Sequence, residues 1–133
     1  MNSLKKAMFS TVVGAGLLVG ATAAHAVDTD QYGVSNTRGG SVVGSVTWLG
    51  PQQARLRGTT RSDNDGQPAQ AWVRFCRTAA NCGPWLSLGS TNGSLNFDRT
   101  FYSSDGGQFL YADVTVMEQG VQSPIDRNQN GGA

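Results

Sequence analysis

Hydrophobic and polar residues alternate with a period of two along much of the chain beyond residue 40. The pattern is clearest in residues 53–61, where apolar or small side chains share one side and arginines the other. Successive side chains of a β-strand point to opposite faces of its sheet. The segment therefore predicts a strand with one buried face and one basic outer face. The inner set is Ala54, Leu56 and Gly58, and the outer set is Arg55, Arg57, Thr59 and Arg61.

Further segments with the same period occupy residues 41–49, 71–76, 95–102 and 108–118. They recur at intervals of roughly ten residues, with Gly, Pro and Asn between them, as in all-β proteins. No stretch after residue 26 keeps the 3.6-residue period of a helix. The pattern predicts an all-β fold, a small antiparallel β-sandwich of about six to seven strands. An immunoglobulin- or fibronectin-like arrangement is the first choice, although the two cysteines are too close in sequence for the cross-sheet disulfide of antibody domains.

Residues 71–88 contain both cysteines and two of the three tryptophans. Cys76 ends one predicted strand, and Cys82 begins a return strand in which Trp85 is expected to be buried. If the two cysteines lie opposite each other in an antiparallel pair, their Cα atoms are close enough for a disulfide. The sequence therefore predicts a Cys76–Cys82 bridge that closes the loop at residues 77–81.

The first 26 residues are organised like an export signal. Lys5 and Lys6 precede an apolar stretch at residues 7–19, which is too short to anchor the chain in a bilayer. Ala24 and Ala26 supply the small residues of a cleavage site before Val27. The predicted division of the chain is a signal peptide at 1–26, a flexible lead-in at 27–40, a β-sandwich domain at 41–119 and a polar C-terminal tail at 120–133.

Cleavage at this point removes both lysines and the only histidine. Eight arginines then face nine acidic residues, so the mature chain is slightly acidic. Such a chain has no general attraction to nucleic acids or anionic membranes. Two cysteines in an exported chain favour a disulfide in an oxidising compartment. We expect a secreted or periplasmic protein with no nucleic acid partner and no membrane anchor, whose partner is an extracellular glycan or a secreted protein.

The residue types that remain after cleavage exclude most catalytic centres. Without histidine there is no Ser-His-Asp or Cys-His arrangement, and without lysine there is no Schiff-base nucleophile. Zinc and copper sites usually need His or several Cys. We therefore expect a protein that is not an enzyme, with no cofactor and no metal. A glycosidase needs only two carboxylates, so Asp98, Asp113 and Glu118 keep that alternative open, with solvated outer-face carboxylates as the simpler interpretation.

One motif near the end of the chain has metal-binding character. Residues 126–131, with the sequence DRNQNG, match the first six positions of a calcium loop. The chain ends before the glutamate that such a loop needs at position twelve. A polar tail without a metal is the favoured interpretation.

The candidate ligand-binding residues lie on the predicted outer faces. Arg55 and Arg57 project together, and Trp72 and Arg74 join the same face if their strand is the neighbour. Arginines around an exposed indole suit an acidic or sugar ligand. The alternative is that the arginine side chains only cover Trp72. A second aromatic group, formed by Tyr102, Phe109 and Tyr111, is either exposed or packed between the sheets.

These features predict a secreted, non-catalytic β-sandwich protein that binds an extracellular ligand, with a polysaccharide or a cell-envelope component as the first candidate. The alternative is a protein-interaction factor, such as an inhibitor of a secreted hydrolase or a toxin-like protein, that presents residues 77–81. A loop held at both ends loses less entropy on docking. A stapled hairpin without a partner is the simpler interpretation of that loop, and the carboxylate-based glycosidase is the least favoured function.

Overall fold

The computed structural model describes residues 28–63 and 66–131, and this part of the chain contains nine β-strands and no helix. The predicted export signal at residues 1–26 lies outside the described residues. The strands are β1 (Asp28–Ser35), β2 (Ser41–Gly50), β3 (Gln53–Arg61), β4 (Ala69–Cys76), β5 (Leu86–Thr91), β6 (Ser94–Tyr102), β7 (Tyr111–Glu118), β8 (Val121–Gln122) and β9 (Asp126–Gln129).

The strands form two antiparallel sheets. The first sheet has the order β1-β2-β3-β6. The second sheet has the order β5-β4-β7, and β8 and β9 pair with successive parts of the free edge of β7. The predicted all-β sandwich is thereby confirmed, with more strands than the sequence indicated.

The hydrophobic core lies between the sheets and is built from alternate residues of each strand. In β3, Ala54 and Leu56 are fully buried while Arg55 and Arg57 point outward, as their period predicts. Burying a Val or Leu side chain contributes about 1.5–3 kcal/mol, so this layer is the main source of stability. Its fully buried apolar members are Val42, Val46, Ala54, Leu56, Ala69, Ala71, Val73, Ala112, Val114 and Val116.

Tyr32 fills a space that two opposed glycines leave in the core. Gly44 of β2 pairs with Gly58 of β3, and a Cβ atom on either would collide with the Tyr32 hydroxyl. That hydroxyl donates a hydrogen bond of 2.9 Å to the backbone carbonyl of Arg57. Burial raises the pKa of the Tyr32 hydroxyl well above its usual value, so it remains a donor at any physiological pH.

The sandwich extends beyond the predicted limits of 41 and 119 at both ends. Residues Asp28–Ser35, expected to be a flexible lead-in, form β1, where Asp30 and Tyr32 are buried. In the predicted polar tail, β8 and β9 pair with β7. Polar residues can be buried there because their side chains hydrogen-bond to the backbone. Asn128 donates to the Ala112 carbonyl at 3.4 Å, and Asn130 to those of Gly50 and Phe109 at 3.1 and 3.0 Å.

Polar side chains cross between the sheets at both open sides of the sandwich. On one side the Gly33 amide in β1 donates to the Asp126 carboxylate in β9 at 3.0 Å. On the other, the Arg99 guanidinium in β6 donates to the Ser87 carbonyl in β5 at 2.8 Å. These contacts use backbone groups that edge strands would otherwise leave open to another chain.

Three connections meet at one end of the sandwich, which we call the disulfide end: the β2–β3 turn, the loop after Cys76 and the segment 103–110. The amides of Ser103 and Phe109 donate to the carbonyls of Gln52 and Pro51 at 2.9 and 2.6 Å. The Leu110 amide donates to the Cys76 carbonyl at 2.8 Å. These hydrogen bonds hold the three connections as one unit around the cleft described below.

Candidate ligand-binding cleft

A cleft of about 550 Å³ opens at the disulfide end of the sandwich. Its floor is apolar and includes Phe75, Phe101 and Phe109. The Phe75 and Phe109 rings are stacked with centroids 4.2 Å apart, and Phe101 is tilted against Phe75 at 5.4 Å. Stacked and tilted rings at these separations are favourable aromatic contacts, so the floor is a fixed surface.

Loops from opposite sides form the two walls of the cleft. One wall is the disulfide loop, including Arg77, Asn81 and Pro84, and the other is formed by the end of β6 with Tyr102 and the following segment with Asp105. Both walls carry polar groups above the aromatic floor. Their rim residues are largely solvent-exposed, and 68% of the Tyr102 surface is accessible.

An ion pair between Arg77 and Asp105 joins the walls. Both side chains are about half exposed, so the pair is of the kind that contributes little stability. Asp105 also shapes its own loop, because its carboxylate accepts from the Ser103 hydroxyl at 3.1 Å and the Gly107 amide at 3.0 Å. Breaking this ion pair would therefore cost the fold little free energy.

The Cys76–Cys82 disulfide is confirmed, with a Cα–Cα distance of 3.9 Å. Inside its loop, the Arg77 amide donates to the Asn81 carbonyl at 2.9 Å, and the Asn81 amide donates to the Thr78 hydroxyl at 3.0 Å. The side chains of residues 77–81 are all exposed. The loop is therefore held from within while it presents its side chains to solvent.

Arg74 and Trp72 lie on the outer face of the second sheet, on β4. The Arg74 guanidinium donates to the Asp113 carboxylate at 2.9 Å and lies 4.5 Å above the Trp85 ring. Trp85, predicted to be buried in the core, is instead half-buried beneath this arginine, because it precedes β5 and packs on the outside of the sheet. Trp72 is half-buried too, so both residues of the predicted pair are partly withdrawn from solvent.

Arg55 and Arg57 lie on the outer face of the first sheet, away from Trp72 and Arg74. The neighbours of β3 are β2 and β6, while β4 belongs to the other sheet, so the four predicted residues do not form one surface. Arg55 donates twice to the Asp98 carboxylate, at 2.8 and 2.6 Å. The hydrogen bonds from Arg55, with the nearby charges, hold the pKa of Asp98 below its usual value.

Asp113 is the centre of a second charge cluster, which lies under the disulfide loop. It is fully buried, and Arg127 of β9 donates to both of its oxygens, at 2.7 and 2.8 Å. Burial alone would raise the pKa of Asp113, but the hydrogen bonds and charges of Arg127 and Arg74 outweigh it and hold the pKa low. Arg127 also lies 3.6 Å from the sulfur atoms of Cys76 and Cys82 and donates to the Ala79 carbonyl at 2.9 Å.

The ligand atoms of Cys76, Cys82 and Asp113 lie within 4.8 Å of one another, a spacing that suits a metal ion. The sulfur atoms are bonded to each other, and metal-binding cysteines are thiolates. The Asp113 oxygens accept hydrogen bonds from two guanidinium groups. With the disulfide formed, this donor set does not fit a metal.

The calcium-like motif at residues 126–131 is extended rather than looped. Asp126–Gln129 is β9, and the Asp126 carboxylate accepts from the Gly33 amide. A calcium loop must bend so that alternate residues converge on one ion. The alternate residues Asp126, Asn128 and Asn130 instead hydrogen-bond to different parts of the sandwich.

Two members of the second aromatic group predicted from the sequence line the cleft. Tyr102 is exposed at its rim, and Phe109 belongs to its floor. Of the two alternatives for Phe109, the structure shows packing, because the residue precedes β7 and its ring stacks on Phe75 against the core. Tyr111 lies elsewhere, with the Arg127 guanidinium 4.7 Å above its ring.

No protein-family model, curated protein or solved structure matches this chain. Among the described residues, no helix is long and apolar enough to cross a membrane.

Proposed function

We propose that this chain is exported, to the outside of the cell or to a periplasm, and that its mature part is a non-catalytic β-sandwich that binds an extracellular ligand. A polysaccharide or a cell-envelope component is the first candidate. The observation that carries the proposal is the cleft, whose aromatic floor and polar rim combine the two surfaces of a small-ligand site. The predicted export signal and the disulfide favour an oxidising compartment outside the cytoplasm.

The carboxylates favour binding over hydrolysis. Glycoside hydrolysis needs a pair of carboxyl groups on either side of the scissile bond. Among the described residues that line the cleft, Asp105 is the one carboxylate, and it pairs with Arg77. Asp98 and Asp113 are held by arginines away from the cleft. The glycosidase is therefore the least favoured alternative.

An immunoglobulin- or fibronectin-like type is part of the proposal for the fold. Two antiparallel sheets packed face to face support it. The order β1-β2-β3-β6 departs from the immunoglobulin pattern, in which the second strand lies beside the fifth. A crystal structure of the mature chain decides the type by its strand order.

The binding proposal is tested with the disulfide-bonded mature chain on a glycan array and on insoluble polysaccharides. Tyr102→Ala removes an exposed ring from the cleft rim and should abolish retention without loss of folding. Ile125→Ala is the matched control, because it truncates an exposed apolar side chain outside the cleft. Trp72→Ala tests the ligand-binding residue that the sequence predicts on β4 of the second sheet. If no glycan or polysaccharide retains the wild-type chain, binding in the cleft is contradicted. The same holds if Tyr102→Ala is retained as well as the wild type.

The second candidate function is a protein-interaction factor that presents residues 77–81, and the internal hydrogen bonds of that loop favour it. Preorganisation lowers the entropy lost when such a loop docks. The test is inhibition of secreted proteases and glycosidases by the mature chain. Thr78→Ala removes the hydroxyl that accepts a hydrogen bond from the Asn81 amide, so it should weaken any inhibition. If the mature chain inhibits none of the enzymes tested, this candidate function is excluded.

A further inference from the structure

We propose that the outer face of the first sheet binds a linear acidic polysaccharide through Arg57 and Arg61. The inference rests on the proposed function of the chain as an extracellular binder and names the class of its ligand. It is carried by the spacing of the arginines, by the net positive charge of the face and by the hydrogen-bonding groups on it.

The register of β3 sets the arginines in a row. Arg55, Arg57 and Arg61 all point outward from the same strand, which lies between β2 and β6. A strand rises about 3.4 Å per residue, so Arg57 and Arg61 are about 14 Å apart along the strand. A row of this kind suits a linear polymer with charges at intervals rather than one compact anion.

The three arginines differ in how strongly they are engaged. The Arg55 guanidinium is held by both oxygens of Asp98. Arg57 lies opposite Asp98 in the sheet register and its charge also acts on that carboxylate. Arg57 and Arg61 are nevertheless exposed, and within the described residues neither forms an ion pair. With three arginines and Asp98, the outer face has a net charge of +2, although the predicted mature chain is slightly acidic.

Most side chains around the arginines are short and polar, with the exposed Val43 as an apolar neighbour on β2. In the register of the sheet, Ser45 lies opposite Arg57 and Ser41 opposite Arg61. On the other side of β3, Asn96 accepts a hydrogen bond from the Thr59 hydroxyl at 2.7 Å. Hydroxyl and amide groups both donate and accept, which matches the hydroxyl groups of a sugar chain.

Tyr102 connects this face to the cleft. It pairs with Gln53 at the end of β6, and it also lines the cleft rim. From Tyr102 the polar face continues along β3 and β6 to Arg57 and then Arg61. One extended sugar chain can therefore contact the cleft and the arginines together. A nucleic acid is the poorer occupant, because sequence-independent binding of single strands uses several aromatic stacking platforms and this face offers Tyr102 alone among its outward residues.

The test compares polygalacturonate with its fully methyl-esterified form, which has the same sugar and linkage without the charge. Affinity of the mature chain for each polymer is measured at low and high salt. The double variant R57Q/R61Q should lower the affinity for the acidic polymer by about tenfold, as expected for two exposed charge contacts. The matched control is Gln122→Glu with Gln129→Glu, which changes the net charge by the same amount on exposed residues of the second sheet. R57K/R61K keeps both positive charges and should therefore bind the acidic polymer more tightly than R57Q/R61Q does.

The proposal is supported if the acid is preferred over the ester, if salt weakens the acid complex and if only R57Q/R61Q loses affinity. Equal affinity for acid and ester overturns it, as does an equal loss in the control variant. If retention still depends on Tyr102 in either case, the proposed binding function stands and only the inference about Arg57 and Arg61 fails. Failure to retain the acidic polymer, or stronger retention of a DNA oligonucleotide, also overturns the inference.

Discussion

Asp113 shows how a single position can depart from its strand pattern. It points to the outer face of β7, where a solvated carboxylate is expected, yet it is fully buried. The reason is that Arg74 from β4 and Arg127 from β9 close over it from both sides. A buried charge is tolerated when it is paired and hydrogen-bonded, and both conditions hold here.

Replacing Asp113 with Asn should lower the free energy of unfolding by about 2 kcal/mol, because it weakens the charge-assisted hydrogen bonds that the buried carboxylate accepts from the partly exposed Arg74 and Arg127. Urea denaturation at neutral pH measures the change. Asp98→Asn is the matched control, since it breaks an arginine pair that solvent screens. Equal effects of the two substitutions would show that burial of Asp113 does not matter.

The ion pairs of Asp113 with Arg74 and Arg127 also predict that the stability of the fold depends on pH. The pKa of Asp113 in the folded state lies below its usual value of 3.8. Its ionised form therefore stabilises the fold above that value, and the stabilisation is lost as the pH falls through the folded pKa. We expect a constant melting temperature from pH 7 to about 5, a fall below about pH 4, and a shallower fall in Asp113→Asn. A wild-type melting temperature that is flat down to pH 2 would contradict this.

The glycine pair beneath Tyr32 gives a third prediction at the scale of one residue. A methyl group at Gly58 would meet the Tyr32 hydroxyl, the Val43 carbonyl and the Phe97 ring. Gly58→Ala should therefore destabilise the fold by about 2 kcal/mol, as overpacking does. Gly93→Ala, where the added methyl group has open space, should change stability by less than about 0.5 kcal/mol. Thermal melting of both variants makes the comparison.

At the scale of the element, the disulfide hairpin links stability to the site. Its closure gives about 2.4 kcal/mol in the chain-entropy model. The double substitution Cys76→Ala with Cys82→Ala should lower the free energy of unfolding by about this amount. Because the loop is one wall of the cleft, ligand retention should weaken as well. A variant with wild-type stability and retention would show that the bridge neither holds the loop nor shapes the cleft.

The strands that the sequence predicts well are those with an apolar face. The limits of β3 agree at both ends, and in β7 the apolar residues Ala112, Val114 and Val116 are buried, although Asp113 and Thr115 between them are buried too. The strands β1 and β9 are missed because their buried positions include Asp30 and Asn128, which carry no hydrophobic signal, and β8 is only two residues long. In β9 the residues that alternate with Asp126 and Asn128 are polar too, so no hydrophobic alternation marks that strand.

The site is less predictable than the strands, because it depends on which strands are neighbours. Trp72 and Arg74 were expected beside Arg55 and Arg57, but they lie in different sheets. The cleft joins Phe75 with Phe101 and Phe109, and the contacts between them are set by the packing of the sheets. Hydrophobic patterns locate the faces of each strand, but they do not specify which distant segments meet.

At the scale of the whole molecule, the end of the chain is a structural part of the sandwich. Deleting residues 126–133 removes β9, the Arg127 contacts to Asp113 and the Asn130 contacts to Gly50 and Phe109. We expect this variant to lose its cooperative thermal transition, because the edge of β7 and a buried charge are both exposed. Circular dichroism during heating measures the loss.

The control for that deletion removes only residues 132–133 and should melt like the full chain. If the segment were a detached polar tail, the longer deletion would also melt at the wild-type temperature.

The position of the described chain ends affects how this protein can be handled. Asp28 pairs with Trp48 near the end of β2, and Asn130 hydrogen-bonds to Gly50, the last residue of β2, and to Phe109 of the cleft floor. Both ends therefore emerge where the ligand is proposed to enter. An affinity tag or a surface linkage at either end would stand close to the opening. A fluorophore or biotin placed at Asn92, in the β5–β6 turn at the opposite pole, would leave the cleft opening clear but would lie near Arg61, which pairs with Ser94 at the start of β6.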